Sequence, residues 1–255
     1  MEFFQEIHMI KLENGWNVPD GDTKMTRHLK TDLSPQNAEY EQRQRNTILE
    51  NLPIKHTFVD VGANLGVWSI TLMPHFEKVI SYEPSSRNRE CLRMNLGTKG
   101  EIRSVALSNF NGESAFHEEI KNCGNSKLWN EGDIEGLYKV PVRKLDDEKI
   151  ENCSLIKMDV QGYEWQVIQG AENLIETQNP WIAFEVSADV DVICKFLEDK
   201  GYDMIDNKSK RLFIYAPTTG PLAPNKKAFG RRMGSGPYIT LLPEDKQEIA
   251  KKRHG

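Results

Sequence analysis

The 255-residue chain predicts an α/β fold built on an open, mostly parallel sheet. Three observations carry this reading. From Thr57 onward, short apolar runs of strand length alternate with runs of helix length. The first strand–helix pair is joined by a glycine turn, Gly62-Ala63-Asn64-Leu65-Gly66. A later run, Leu155-Ile156-Lys157-Met158-Asp159-Val160, is apolar on both faces at its start, as a strand covered by helices on both sides requires.

The elements follow in order. Residues 7–33 alternate weakly and contain the turn signal Val18-Pro19-Asp20-Gly21-Asp22, which predicts a short hairpin or irregular cover. Ser34-Pro35 has the form of a helix start, and the helix runs to about Leu52, where Pro53 stops it. The strand at 58–61 enters the glycine turn, and 67–73 is an apolar helix. A strand at 79–83 and a helix at 85–97 follow, with Ser85 or Ser86 as N-cap. Residues 102–107 read as a third strand, and 108–146 as turns and short strands without a helix. After the strand at 155–160, a helix sets Glu164, Ile168, Ala171 and Ile175 on one face. A strand at 181–186, a helix at 189–200 and a hairpin over 202–215 complete the unit. Residues 216–255 hold five of the twelve prolines and five of the eighteen glycines, so they read as an extended tail, with a short helix over 243–253. The chain thus divides into an N-terminal extension, 1–56, an α/β domain, 57–215, and a Pro/Gly-rich basic tail, 216–255.

Charge and cysteines narrow the class. Lys and Arg number 33 against 38 Asp and Glu, a net charge of −5, which argues against nucleic acid as a partner. The tail alone carries +5 and the remainder −10. No apolar stretch approaches the ~18 residues of a spanning helix, so no membrane association is expected. The first residues place an acid, Glu2, where a signal peptide needs a basic region, which predicts a cytoplasmic protein. Cys91, Cys123, Cys153 and Cys194 form no C-x-x-C pair and have no His at zinc-ligand spacing, so no metal site is expected and the thiols read as reduced.

In open parallel sheets, ligands bind beyond the carboxyl ends of the strands. That rule selects 60–66, 83–84, 106–107, 159–162 and 185–187. Gly62 permits a sharp turn and close approach of a ligand, Gly66 lets the helix start pack closely, and Asn64 tolerates left-handed backbone. Glu83 stands 21 residues after Gly62, at the end of the next strand, where an acid holds a ribose diol. The loop is G-x-x-x-G rather than G-x-G-x-x-G, and Asp60 precedes it by two residues. An acid there suits an ammonium group, which favours S-adenosylmethionine over a nicotinamide dinucleotide. Lys157 and Asp159 share one strand face and break its apolar pattern at the carboxyl end. A Lys157–Asp159 or Lys157–Glu185 pair facing the site is expected, because buried charges need partners. Glu164 reads as a helix cap.

Taken together, FVDVGANLGVWSI, SYEPS, VALSNFNGESAF, CGNSKL, VPVRKLDD and LIKMDVQGYEWQVIQGAENLI resemble the FkbM-type family of S-adenosylmethionine-dependent methyltransferases, in order from about Phe58 to about Tyr202. The resemblance implies a class I methyltransferase (Rossmann-like) sheet of seven strands, helices on both faces and a C-terminal antiparallel hairpin. It implies O-methylation of a small-molecule or glycan hydroxyl. Asp60, Gly62, Ala63, Asn64 and Gly66 would line the methionine and ribose side, Glu83 the ribose, and the loop at Ala106 the adenine. Asp159 would stand beside the donor as first choice of base, with Glu185 second and Lys157 orienting or stabilising developing alkoxide. Gln161 departs from the family, which usually has Glu there. Two other classes share the glycine turn: a nicotinamide-dependent oxidoreductase, and a binding protein that keeps the fold without the chemistry.

Overall fold

A computed structural model describes residues 8–129, 137–209 and 211–224. The chain begins with an antiparallel pair, β1 (Met9–Lys11) and β2 (Asn17–Pro19). Helix α1 (Lys24–Lys30), a 3-10 turn at Pro35–Asn37 and α2 (Gln42–Asn51) follow. The single helix expected over 34–52 is therefore broken. The Asp32 carboxylate accepts backbone N–H groups of Leu33, Glu39 and Tyr40, which closes a loop, and Glu41 turns left-handed (φ 56°) just before α2. Helix α1 gave no periodic signal because Leu29 is its one buried residue.

The main unit runs β3 (Thr57–Val61), α3 (Val67–Leu72), β4 (Lys78–Tyr82), α4 (Ser86–Leu96) and β5 (Glu101–Arg103). A second sheet then forms from β6 (Ala106–Leu107), β7 (Gly112–His117), β8 (Lys127–Trp129) and β9 (Leu137–Arg143), in the order β6-β9-β7-β8. The chain returns through β10 (Cys153–Met158), α5 (Glu164–Gln169), α6 (Glu172–Gln178), β11 (Trp181–Glu185), α7 (Val190–Asp199), β12 (Tyr202–Asp206) and β13 (Leu212–Pro217). The main sheet has seven strands in the order β12-β13-β11-β10-β3-β4-β5. Neighbours from β11 to β5 are parallel, and β13 runs antiparallel to both β11 and β12. This is the α/β class read from the sequence, with its closing hairpin.

The topology fixes where a ligand can sit. The chain builds outward from β3 to β5, then returns to lay β10 on the other side of β3. Ligands bind in the crevice at such a reversal, beyond the carboxyl ends. The register pairs Asp60 with Lys157 and Val61 with Met158, so the loops after β3 and β10 leave the sheet side by side.

Alternate residues of the strands enter two cores. Val59, Ile80, Ile156 and Ile182 pack with α5, α6 and α7, whereas Phe58, Leu155, Trp181 and Ala183 pack with α2 and α3. The N-terminal segment has no separate core. Trp16, Val18, Leu29 and Ala38 cluster with Leu65, Val67, Ile70, Cys91 and Leu96 of the main unit. Asn95 of α4 ties β2 down by accepting from Asn17 N at 2.7 Å and donating to Asn17 O at 3.0 Å.

Three boundaries differ from the sequence reading. The strand expected over 102–107 is two strands in two sheets, since an extended run carries no mark of a change of partner. The helix expected after β10 divides at Gly170-Ala171. A Cβ on Gly170 would stand 2.0 Å from the Ser108 carbonyl oxygen, so the backbone of the second sheet's connection passes where a side chain would be. The tail does not separate at 216. Ala216 and Pro217 finish β13, and Leu222 is buried against Trp181, whose indole N–H donates to Leu222 O at 2.8 Å. Residues 1–7 and 225–255, with the helix expected over 243–253, lie outside the described residues. Among the described residues no helix is long and apolar enough to cross a membrane.

Candidate functional site

The turn after β3 is held by two bonds to the next strand. Gly62 N and Ala63 N both donate to Tyr82 O, each at 3.0 Å. Gly62 is left-handed (φ 71°), and a Cβ there would lie 2.1 Å from Asp159 O. Any side chain would push the loops after β3 and β10 apart. Asn64 is also left-handed (φ 50°), as its place in the glycine pattern suggested. Its backbone N–H donates to Glu83 Oε2 at 2.8 Å, and its side chain accepts from Cys123 Sγ at 3.3 Å.

Glu83, just past β4, is almost wholly buried, and its second oxygen accepts Ser85 N at 2.8 Å. Burial lifts its carboxyl to about 7, opposed by the two backbone N–H groups and Arg89, with Glu118 adding to the rise. Ser85 caps α4 through Asn88 N, as expected. Glu83 lines a cavity with Gly62, Asn64, Ala106, Leu107, Phe116 and Asp159. The second sheet thus supplies the far wall of this cavity.

A second, larger cleft adjoins the first, and Gly62, Asn64, Gly124 and Asp159 line both. Its floor carries Lys157, Asp159, Gln161 and Glu185, and its outer wall carries Met25, His28, Tyr40, Glu41 and Trp68. The outer wall is pinned to the second sheet: Asp22 accepts Thr26 N and Cys123 N, at 2.8 and 2.7 Å.

Lys157 is buried, with its ammonium 3.5 Å from Asp60, 4.0 Å from Asp159 and 3.4 Å from the carbonyl oxygen of Gly62. Burial alone would lower its pKa, but Asp60, Asp159, Glu41 and Glu185 together outweigh this and raise it. The ammonium is therefore charged at neutral pH. Gln161, left-handed at φ 55°, donates to Asp159 Oδ1 at 2.7 Å and Glu185 Oε2 at 2.8 Å. An amide between two carboxylates joins them by hydrogen bonds, where a third carboxylate would repel both.

Several sequence-derived roles change. Asp60 has no exposed surface and lines neither cavity; it accepts from Ser69 Oγ at 2.6 Å and neutralises Lys157 from below. Gly66 is likewise outside both cavities, and a Cβ there would meet Leu92 of α4 at 2.6 Å. Ala63 lines the larger cleft, Ala106 the smaller cavity. The expected Lys157–Asp159 pair is present, and Asp60 is a further partner that the sequence did not suggest. Glu164 accepts from Val160 N at 3.0 Å and Gly162 N at 3.1 Å, so it braces the turn after β10 rather than capping α5. Burial raises its pKa, against hydrogen bonds that include Ser187. Sequence reasoning missed Tyr40 and Glu41 because they lie 16 or more residues before the first motif, and no local pattern connects them to it.

The family model of the methyltransferase FkbM domain matches residues 60–204. Methyltransferase sdnD of Sordaria araneosa is 23% identical over 215 residues, covering 64% of this chain and 79% of that protein. The 2-O-methyltransferase NoeI of Sinorhizobium fredii is 32% identical over 146 residues, covering 47% of this chain and 59% of that protein. A crystal structure of methyltransferase FkbM from Methylobacillus flagellatus KT is 20% identical with a TM-score of 0.47, covering 64% of this chain and 43% of that one. The glycine turn, the acid at the end of β4 and the Asp159 segment all fall within the matched residues, and the chain belongs to the methyltransferase FkbM domain family.

Proposed function

We propose that this methyltransferase draws its methyl group from S-adenosylmethionine and places it on a hydroxyl of a sugar or other small molecule. The observation that carries this reading is the meeting of two cavities at Gly62, Asn64, Gly124 and Asp159. One has a buried carboxylate and a glycine cradle, and the other has a charged floor and an aromatic wall. The residues fit the donor: a Cβ at Gly62 would fill the cradle, and Glu83 presents a carboxylate where a ribose diol is held. Ala106, Leu107 and Phe116 offer apolar surface to the adenine.

When bound, S-adenosylmethionine supplies an electrophilic methyl group on a sulfonium. The protein's part is to hold the acceptor oxygen in line with it. Such positioning contributes up to ~7–11 kcal/mol in favourable cases. Asp159 lies where both cavities meet and takes the hydroxyl proton, with Glu185 beside it through Gln161. Lys157, held charged between Asp60 and Asp159, stabilises the oxygen as its negative charge grows. The name of NoeI, a 2-O-methyltransferase, supports an oxygen acceptor. Membership of a methyltransferase family sets the oxidoreductase reading aside.

The test is transfer of labelled methyl from S-adenosylmethionine to a panel of methyl glycosides. With the best acceptor, Asp159→Asn is expected to lower turnover ~10²–10⁴-fold, the usual worth of a positioned base, with donor affinity little changed. Lys157→Met keeps the aliphatic stem, removes the charge beside the reacting oxygen and is expected to lower turnover with donor affinity little changed. Full turnover per folded molecule in Asp159→Asn would move the base to Glu185. Donor binding without turnover on any acceptor would favour a binding protein.

A further inference from the structure

The family match begins at residue 60, yet Met25, His28, Tyr40 and Glu41, most of the wall facing the charged floor, come before it. Glu41 is the most heavily constrained of these. It sits at the start of α2 in a left-handed conformation (φ 56°, ψ 24°), which is strained for a non-glycine residue. The position begins a helix, where a short side chain would ordinarily turn back to cap the backbone. Glu41 makes no such bond. Its carboxylate enters the cleft instead and accepts from the Trp68 indole N–H at 2.7 Å. Arg45, itself buried, fixes the approach by donating its guanidinium to the carbonyl oxygens of Ala38 and Tyr40. The backbone strain, the buried Arg45 clamp and the Trp68 bond serve one result, which is to aim a carboxyl group at the space above Lys157 and Asp159.

We propose that Glu41 is a specificity residue that hydrogen-bonds a second hydroxyl of the acceptor, next to the one that is methylated. This rests on the reading of the larger cleft as the acceptor site. Asp159 and Glu185 rise from the strand ends and Glu41 enters from the opposite wall, so a ring presenting one hydroxyl to Asp159 turns a neighbouring hydroxyl toward Glu41. Tyr40 and Trp68 flank it with aromatic surface suited to the apolar face of a sugar ring. Burial is the main cause that raises the Glu41 carboxyl, opposed by Trp68 and Lys157 and aided by Asp159. Asp159 and Glu185 on one side and Glu41 on the other set carboxyl oxygens around the same space, beside aromatic surface, which suits a neutral polyol with adjacent hydroxyls.

The test compares the best methyl glycoside with its deoxy analogue lacking the neighbouring hydroxyl. Wild type is expected to lose at least about tenfold in kcat/KM on the deoxy compound, the size of one hydrogen bond. Glu41→Ala should bring that ratio close to one, mainly through KM, and Glu41→Gln should restore most of it. As an independent readout, the Trp68 indole N–H resonance at saturation should differ between the glycoside and its deoxy analogue in wild type, and the two should coincide in Glu41→Ala. Equal loss on both acceptors in Glu41→Ala, with a lowered Tm, would show a structural residue and overturn the proposal while leaving the sugar acceptor standing. Absence of turnover and of any shift with every glycoside would overturn the acceptor class, and the proposal with it.

Discussion

At the scale of single residues, Glu83 carries the donor assignment because one buried carboxylate serves two purposes. It fixes the turn after β3 through Asn64 N and the start of α4 through Ser85 N, and it lines the smaller cavity. Burial raises its carboxyl to about 7. A raised acid stabilises the folded state while protonated and loses that contribution as pH rises through about 7. Ribose hydroxyls donate to an ionised carboxylate, so donor affinity is expected to be flat above pH 7 and to fall up to tenfold per unit below it. Glu83→Ala should remove this dependence and weaken binding by about 1.5–3 kcal/mol, read by calorimetry. An unchanged affinity would place the ribose elsewhere. Glu83, Gly62 and Asn64 were legible from the sequence because their spacing follows from local strand–turn–helix geometry. Asp60 was misread as a ligand residue. Its role depends on Lys157, nearly a hundred residues on, and strand pairing across that distance leaves no trace in local spacing.

At the scale of elements, the strands of the main sheet were legible because each is a short apolar run bounded by turn residues, and apart from the end of β5 their boundaries shift by only a residue or two. What was not legible was where an element breaks for the sake of a distant contact. The division at Gly170 answers to the Ser108 backbone, and the end of β5 to a change of sheet. The C-terminal boundary failed for a similar reason, since proline and glycine content rises before the contacts end. Leu222 is buried beside Trp181. Leu222→Ala is expected to cost ~2–5 kcal/mol, as large-to-small changes in a core do. Deleting residues 217–255 should lower Tm markedly, because it removes both the last residue of β13 and this cover. Deleting only 225–255 retains them. Equal melting of the two truncations would show that the Leu222 contact contributes nothing.

At the scale of the whole molecule, the seven-stranded sheet places its reversal between β3 and β10, and the remaining parts close around that point. The second sheet walls the smaller cavity, and the N-terminal segment walls the larger one. The family match covers the parallel strands and their loops, whereas β13 and all of the outer wall of the larger cleft but Trp68 lie outside it. In the proposed reading the smaller cavity holds the donor with its reactive end toward Asp159. A crystal structure with S-adenosylhomocysteine is the sharpest test. The ribose hydroxyls are expected on Glu83, the adenine near Ala106 and Leu107, and the sulfur at the opening bounded by Gly62, Asn64, Gly124 and Asp159. S-adenosylhomocysteine found elsewhere, or its sulfur turned away from the larger cleft, would contradict it.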